Sequence, residues 1–304
     1  MFRKIPTIKI LLATYNGEKY IQEQINSICD QQDVLVNIVI SDDGSNDNTI
    51  NIINTNYTAI PVEQNIPGTG SAANNFLKMI SHLDFSCAFD YVAFADQDDI
   101  WLPKKMNAAI DLLEREGGGL YCSNMTKWNT ADGTFSNLKK DYPQKKFDFL
   151  FEGGSAGCTY VFTKTFAKEL QKFLLDVNAS NWKGFSHDWL VYFFARSRNL
   201  NVVIDSNSYI HYRLHDENVH GHLNKLSLAT IKEKSKQVFE GYYQNHVANY
   251  INHLDKNSEA FDIYKKFLGN YFQRNYVIWK YNTQLMRDNK KFLIFAVLNL
   301  LKFR

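Results

Sequence analysis

Acidic side chains close two apolar segments of this chain. Ile38-Val39-Ile40-Ser41 runs into Asp42 and Asp43, and Tyr91-Val92-Ala93-Phe94-Ala95 runs into Asp96, Gln97, Asp98 and Asp99. Carboxylates gathered on one rim repel one another and raise each other's pKa unless a cation or a donor-rich ligand lies between them. A hard divalent ion resolves that conflict most simply. Mg²⁺ or Mn²⁺ usually binds through one or two carboxylates together with phosphate oxygens, so the chemistry on offer is metal-assisted handling of a diphosphate. Turn formation by Asp42 and Asp98 is the plain alternative; it would stand level for one acidic pair and is weaker for two, both at strand ends.

Such acids meet only if a parallel sheet brings the strand ends to one rim. Ile8 to Tyr15 reads as a buried strand, and behind Gly17 the spacing of Tyr20, Ile21, Gln24, Ile25 and Ile28 predicts a helix. Val34 to Ile40 is a second strand followed by a helix from Thr49. Ala59 to Glu63 is a third, followed by a glycine-rich turn and a helix over about 72–83, and Tyr91 to Ala95 is the fourth. This alternation predicts an α/β fold with a mostly parallel sheet and ligands at the carboxyl ends of its strands. Beyond Gly117-Gly118-Gly119 the pattern loosens. Strands are expected over 120–125, 159–162, 202–204 and 209–212, helices over 165–175 and 189–198, and a polar loop over 130–146. From about Leu226 every segment has helical period. The expected division is an α/β domain over 1–225, with a nucleotide half to about 115 and an acceptor half from 116, then a helical region over 226–304.

With 45% hydrophobic and 22% charged residues over 304 positions, the chain has a globular composition, which excludes disordered, collagen-like and disulfide-scaffold classes. A net charge of +2 predicts no nucleic-acid footprint. Its distribution is uneven: from residue 232 on there are thirteen basic and six acidic residues, against twenty-one and twenty-six before it, so a mildly acidic body carries a basic tail suited to an anionic surface. Cys29, Cys87, Cys122 and Cys158 form no CxxC pair and no secretory leader opens the chain, which points to reduced thiols in the cytoplasm. The longest apolar run, near Phe292 to Leu301, is well short of the ~20 residues of a spanning helix.

Three segments in order resemble the signature of family 2 glycosyltransferases: Thr14-Tyr15-Asn16-Gly17, then Ser41-Asp42-Asp43-Gly44-Ser45-Asn46-Asp47-Asn48-Thr49, then Asp96-Gln97-Asp98-Asp99-Ile100-Trp101-Leu102-Pro103. The resemblance implies a GT-A fold that transfers a sugar from a nucleotide diphosphate with inversion. Carried over residue by residue, it places Tyr15 on the nucleobase, Thr14, Asn16, Asn65, Gly68 and Gln97 around the nucleotide, and Asp43 as acceptor of the base N–H. Asp96 then lies near the ribose, and Asp98 ligates a divalent metal, Mg²⁺ or Mn²⁺, on the diphosphate. Ala13 stands where the family often has a polar residue, so one base or ribose hydrogen bond must come from elsewhere. Asn65 to Ala73 also fits the dinucleotide fingerprint GxGxxA. It follows a third, short strand rather than the first, and Pro67 removes a donor, so nicotinamide binding is set aside.

In the second half, Gly153-Gly154-Ser155-Ala156-Gly157-Cys158-Thr159 is similar to the family's acceptor-side strand entry, implying acceptor contacts from Gly157 and Cys158, joined by Trp101, His187 and Trp189. A tight turn explains the glycines nearly as well. Ser186-His187-Asp188-Trp189 resembles the catalytic acidic motif of rhamnosyltransferase-like members, making Asp188 the general base, with a helix N-cap as the alternative role. Transfer needs such a group, because the acceptor hydroxyl loses its proton as it attacks the anomeric carbon; a single displacement uses one catalytic carboxylate. Tyr212-Arg213-Leu214-His215 with Asn218 resembles the YRxHxxN segment of the same members. It implies Arg213 and His215 at the diphosphate, His215 also as a metal ligand, against a merely solvated His-rich loop.

Lys290 to Arg304 is a short apolar block between basic ends, as in interfacial helices, although a dimer face or a helix packed on the catalytic domain has the same pattern. The expectation is a cytoplasmic glycosyltransferase of bacterial surface-polysaccharide assembly, peripheral on the inner face of the plasma membrane. Its first donor is dTDP-rhamnose with a UDP-sugar close behind, its acceptor a glycan or lipid-linked glycan, and a homodimer is open. A non-catalytic nucleotide-sugar scaffold and a metal phosphohydrolase are the competing classes.

Overall fold

β1 (Thr7–Thr14) is apolar on both faces, Ile8, Ile10 and Leu12 on one and Leu11 and Ala13 on the other, and both are buried, as a central parallel strand requires. It pairs in parallel with β2 (Leu35–Asp42) on one side and β4 (Tyr91–Ala95) on the other. Between them the chain passes through α1 (Ile21–Cys29), α2 (Thr49–Asn56), the edge strand β3 (Val62–Gln64) and α3 (Ala72–Ser81). The register sets Thr14 opposite Asp42 and Leu12 opposite Ala95, so the loops after β1, β2 and β4 leave from one rim. The computed structural model describes residues 4–179, 182–214 and 228–303.

After β5 (Ile100–Trp101) and α4 (Lys105–Glu116) come β6 (Leu120–Asn129), β7 (Thr134–Leu138), β8 (Val161–Thr163), α5 (Lys164–Leu174), α6 (His187–Ser197) and β9 (Val202–Leu214). The sheet runs β3-β2-β1-β4-β8-β6-β9-β5, with β7 on β6. β8 joins β4 and β6 antiparallel, and β9 lies parallel to β6. α1 and α4 cover one face, α3, α5 and α6 the other. Two expectations change here. The strands expected over 202–204 and 209–212 are one strand, because the pairing with β6 shifts register around Asn124 instead of breaking. The expected polar loop contains β7, an exposed strand with no apolar run to announce it.

The helical region is present as expected: α7 (Leu228–Phe239), α8 (Tyr242–Tyr250), α9 (Glu259–Phe267), α10 (Tyr271–Lys280) and α11 (Asn289–Leu301). It packs on the α6 side of the sheet through an aromatic cluster in which Phe151 meets Tyr243, Tyr264, Phe267 and Phe295. Among the described residues no helix is long and apolar enough to cross a membrane. Arg287, buried between α10 and α11, donates to the carbonyls of Gly153 (2.6 Å), Gly154 (2.7 Å) and Lys140 (3.1 Å) and pairs with Glu152, which also takes Lys291 at 2.8 Å.

Candidate active site

The rim is built by side chains that tie one loop to the next. Thr14 Oγ1 and the Tyr15 N–H both donate to Gln97 Oε1 (2.6 and 2.8 Å), and Gln97 Nε2 returns a bond to the Tyr15 carbonyl at 3.0 Å. Asn16, at φ 49°, a left-handed conformation that asparagine tolerates, receives the Asn46 N–H (2.9 Å) and gives its own to Ser45 Oγ (2.8 Å). Asp42 is buried and accepts the Gly44 and Ser45 N–H groups, so it is a turn former. Asp43 accepts from the Thr69 N–H (2.6 Å), the Gly70 N–H (3.1 Å) and Asn65 Nδ2 (3.2 Å). Gly68 lies so close to the Asp43 carbonyl that any Cβ would collide with it. The backbone donors of the GxGxxA segment are therefore turned toward a protein carboxylate. Asn65 is itself buried and holds Ser41, Asn75 and Lys78. Beside these loops Tyr15 stays open to solvent.

Next to them lies a knot of acids. Ligand atoms of Asp96, Asp99 and Cys158 all fall within 4.8 Å of one another. Burial, then the charges of Asp98 and Asp188, push Asp96 up to about 7. Burial, with Asp98 and Asp96, raises Asp99 well above the carboxylate range, and its Oδ2 has no hydrogen-bond partner among the described residues. Behind them the Lys105 ammonium sits 3.7 Å over the Trp101 ring, without a hydrogen-bond partner among the described residues, and burial lowers it to about 7. Burial also pushes the Cys158 thiol well up, which keeps it protonated and a poor ligand for a hard ion. The charges of Asp98 and Asp188 both raise Asp96, a repulsion that a dication would relieve, so the carboxylates gathered here fit an oxygen-bound divalent ion.

Asp188 stands in the first turn of α6, and its charge acts on Asp96. Ser186 is the N-cap, its Oγ accepting the Trp189 N–H at 3.3 Å, so Asp188 is not the cap. Asp188 Oδ1 takes the Ser186 hydroxyl and the Trp189 N–H (2.8 Å), while its carbonyl accepts the Tyr160 hydroxyl at 3.1 Å. That same hydroxyl oxygen receives the N–H groups of Gly154 and Ser155. His187 packs against Phe76, tilted, and Phe94, edge-on, with its ring over Gly157; burial holds its imidazole below the usual value.

Residues 9–173 match the family described as glycosyl transferase family 2. A dTDP-rhamnosyl transferase, RfbG of Shigella flexneri, is 39% identical over 211 residues, 68% of this chain and 72% of that one. The chain is a family 2 glycosyltransferase. A UDP-Glc:alpha-D-GlcNAc-diphosphoundecaprenol beta-1,3-glucosyltransferase of Escherichia coli, WfaP, is 31% identical to this glycosyltransferase over 112 residues, 36% of it and 42% of WfaP. Among solved structures, S. aureus TarS 1-349 in complex with UDP-GlcNAc matches with a TM-score of 0.57 at 14% identity, covering 96% of the glycosyltransferase and 90% of that chain; a longer TarS chain is covered to 55%. The fold is the GT-A fold, and as a member of the family the glycosyltransferase takes a nucleotide-sugar donor.

Several expected contacts of the glycosyltransferase are corrected. Trp101 is buried under Lys105, and Trp189 is buried with its indole N–H on the Phe149 carbonyl (2.8 Å) and its ring stacked on His246, so neither offers a face to an acceptor. Cys158 belongs to the buried acid knot rather than to an open acceptor surface, and Gly157 lies beneath His187. Arg213 is engaged by protein groups. Its Nε donates to the Asp98 carbonyl (2.8 Å), another nitrogen pairs with Glu23, and Tyr20 and Trp128 flank it at 4.5 Å each, so it anchors the acid loop. His215 lies outside the described residues. Sequence reasoning missed Glu23 and Lys105: an acid 190 positions from its arginine, and a lysine in an ordinary helix start, leave no local signal.

Proposed function

We propose that this glycosyltransferase transfers rhamnose from dTDP-rhamnose, with inversion, to a hydroxyl of a glycan or lipid-linked glycan during bacterial surface-polysaccharide assembly at the inner face of the plasma membrane. The supporting observation is electrostatic: Asp98 after β4 and Asp188 on α6 both act on Asp96, as expected where a diphosphate-side acid and an acceptor-side acid serve one site. The extended likeness to a dTDP-rhamnosyl transferase favours rhamnose, and the shorter likeness to a UDP-Glc-dependent enzyme makes a UDP-hexose the second reading.

In this reading Tyr15 stacks on the base, Asp43 offers the remaining lone pair of its Oδ2 to the base N–H, and Asp96 faces the ribose. Asp98 would hold the divalent ion, Mg²⁺ or Mn²⁺, which supplies charge neutralisation of the departing diphosphate. With Oδ1 of Asp188 engaged by Ser186 and the Trp189 N–H, its Oδ2 takes the acceptor's proton while the hydroxyl oxygen bonds the anomeric carbon and the bond to the diphosphate breaks on the opposite face. Residues 1–225 carry these steps and the helices of 226–304 brace them.

The test is transfer from dTDP-rhamnose and UDP-glucose to a glycan acceptor, with Mg²⁺, with Mn²⁺ and with EDTA. Rhamnosyl transfer abolished by EDTA is expected. Preference for UDP-glucose selects the second reading; nucleotide binding without turnover of either donor would make the protein a scaffold. Phosphate release independent of acceptor would make it a phosphohydrolase.

A further inference from the structure

α10 and α11 run antiparallel: Tyr271 Oη donates to the Leu300 carbonyl (3.0 Å), and Trp279 meets Phe292 at the other end, ring centroids 6.2 Å apart. Their inner sides are used, Val277 and Ile278 on α10 and Phe295, Ala296 and Leu298 on α11 lying in the core. Part of the sequence expectation therefore holds, since α11 does pack on the rest of the chain. The opposite sides are apolar as well. Phe272, Tyr276 and Trp279 on α10 and Leu293, Val297 and Leu301 on α11 recur at spacings of three and four and are exposed, Phe272 at 79% and Leu301 at 57%. A water-facing apolar stripe on both helices of one hairpin has no explanation in packing among the described residues.

Charge selects the occupant. From residue 263 to the end there are nine Lys and Arg against a single acid, Asp288, whose carboxylate caps α11. Lys280 and Lys290 are exposed, and Lys266 and Lys280 lie about the exposed Tyr276 ring at 6.0 and 5.9 Å. We propose that the outer face of the α10–α11 hairpin docks the enzyme flat on an anionic lipid bilayer. Aromatic and aliphatic tips enter the headgroup boundary while the lysines meet anionic headgroups. A second copy laid on the same face would set these lysines against their own kind, and neither helix is long enough to cross the bilayer. Because Arg287, in the turn of this hairpin, holds the carbonyls of Gly153 and Gly154, the docked face is fixed relative to the acceptor side. Only this last use, presentation of a lipid-linked acceptor, rests on the proposed function.

The experiment is flotation of the full chain with vesicles of phosphatidylcholine alone and of phosphatidylcholine mixed with phosphatidylglycerol, at low and high salt. Binding only to the anionic vesicles, weakened by salt, is expected. The double substitution Trp279→Ser and Leu293→Ser, and separately Lys280→Glu with Lys290→Glu, should each weaken it about tenfold or more while circular dichroism and nucleotide binding stay unchanged. Absence of wild-type flotation, or undiminished flotation of both variants, overturns the proposal. So does light scattering that shows a dimer dissociated by the same substitutions in a protein that ignores vesicles. Transfer to a water-soluble acceptor reads the proposed function separately, so either failure is recognisable by itself.

Discussion

The proposed donor rim and the proposed acceptor side of this enzyme are assembled by different means. At the rim, Gln97 ties β4 to β1, Asn16 ties β1 to β2, and Asp43 gathers the loop of Thr69 and Gly70, all through short side chains in loops that parallel register already brings together. On the other side a clamp from the helical region is added. Asp188 is held by Ser186 and Tyr160, Tyr160 and Arg287 hold the Gly153-Gly154 backbone, and Arg287 arrives from a helical region 134 positions away. A rim made of several loop-to-loop bonds keeps its form when one is lost. A remote clamp passes its loss on to Asp188, the proposed base.

Substituting the two central acids should divide the regions most sharply. Asp188→Asn is expected to lower transfer by about 10²–10⁴-fold with donor affinity intact, whereas Asp98→Asn should abolish metal-dependent donor binding; steady-state kinetics and calorimetry with Mg²⁺ and Mn²⁺ check both. Equal effects of the two on donor affinity would erase the distinction. Arg287→Ala comes next. It leaves Glu152 buried with Lys291 alone, and denaturant unfolding should show a loss of ~3 kcal/mol. Its kcat should fall while donor affinity holds, with partial recovery on added guanidinium; a parallel loss of donor affinity would mean the clamp serves both regions.

A smaller effect concerns α8, whose His246 stacks on Trp189 with ring centroids 4.6 Å apart. Burial lowers its imidazole to about 4. Between that value and the ordinary ~6.5 the unfolded chain binds a proton that the folded chain refuses. The contribution is thus complete above about 6.5 and is lost as pH falls, ~3 kcal/mol at pH 4 as an order of magnitude. Thermal unfolding of wild type and His246→Gln across this range should show a shallower acid limb in the variant, though raised carboxyls such as Asp96 act in the opposite direction in both proteins.

The contrast also explains what could be read in advance. Apolar strands ending in Asp42-Asp43 and Asp96-Gln97-Asp98-Asp99 announce a parallel α/β rim, because strand periodicity and terminal polarity are local properties of the chain. Trp101 and Trp189 were misread for the same reason: a tryptophan beside a motif carries no local mark of which way it faces, and both face the core. β7 escaped because an exposed edge strand needs no apolar run.

By itself, then, the amino-acid order determined the alternation of strands and helices, the acids at their ends and the basic, apolar character of the tail, since each is written within a few residues. Only the tertiary structure decided that Asp43 would bind the glycine loop, that Arg213 would anchor the Asp98 loop through Glu23, and that Arg287 would clamp the backbone beside Asp188. Those pairings depend on packing that brings together groups far apart in the chain, and no spacing rule spans such a distance.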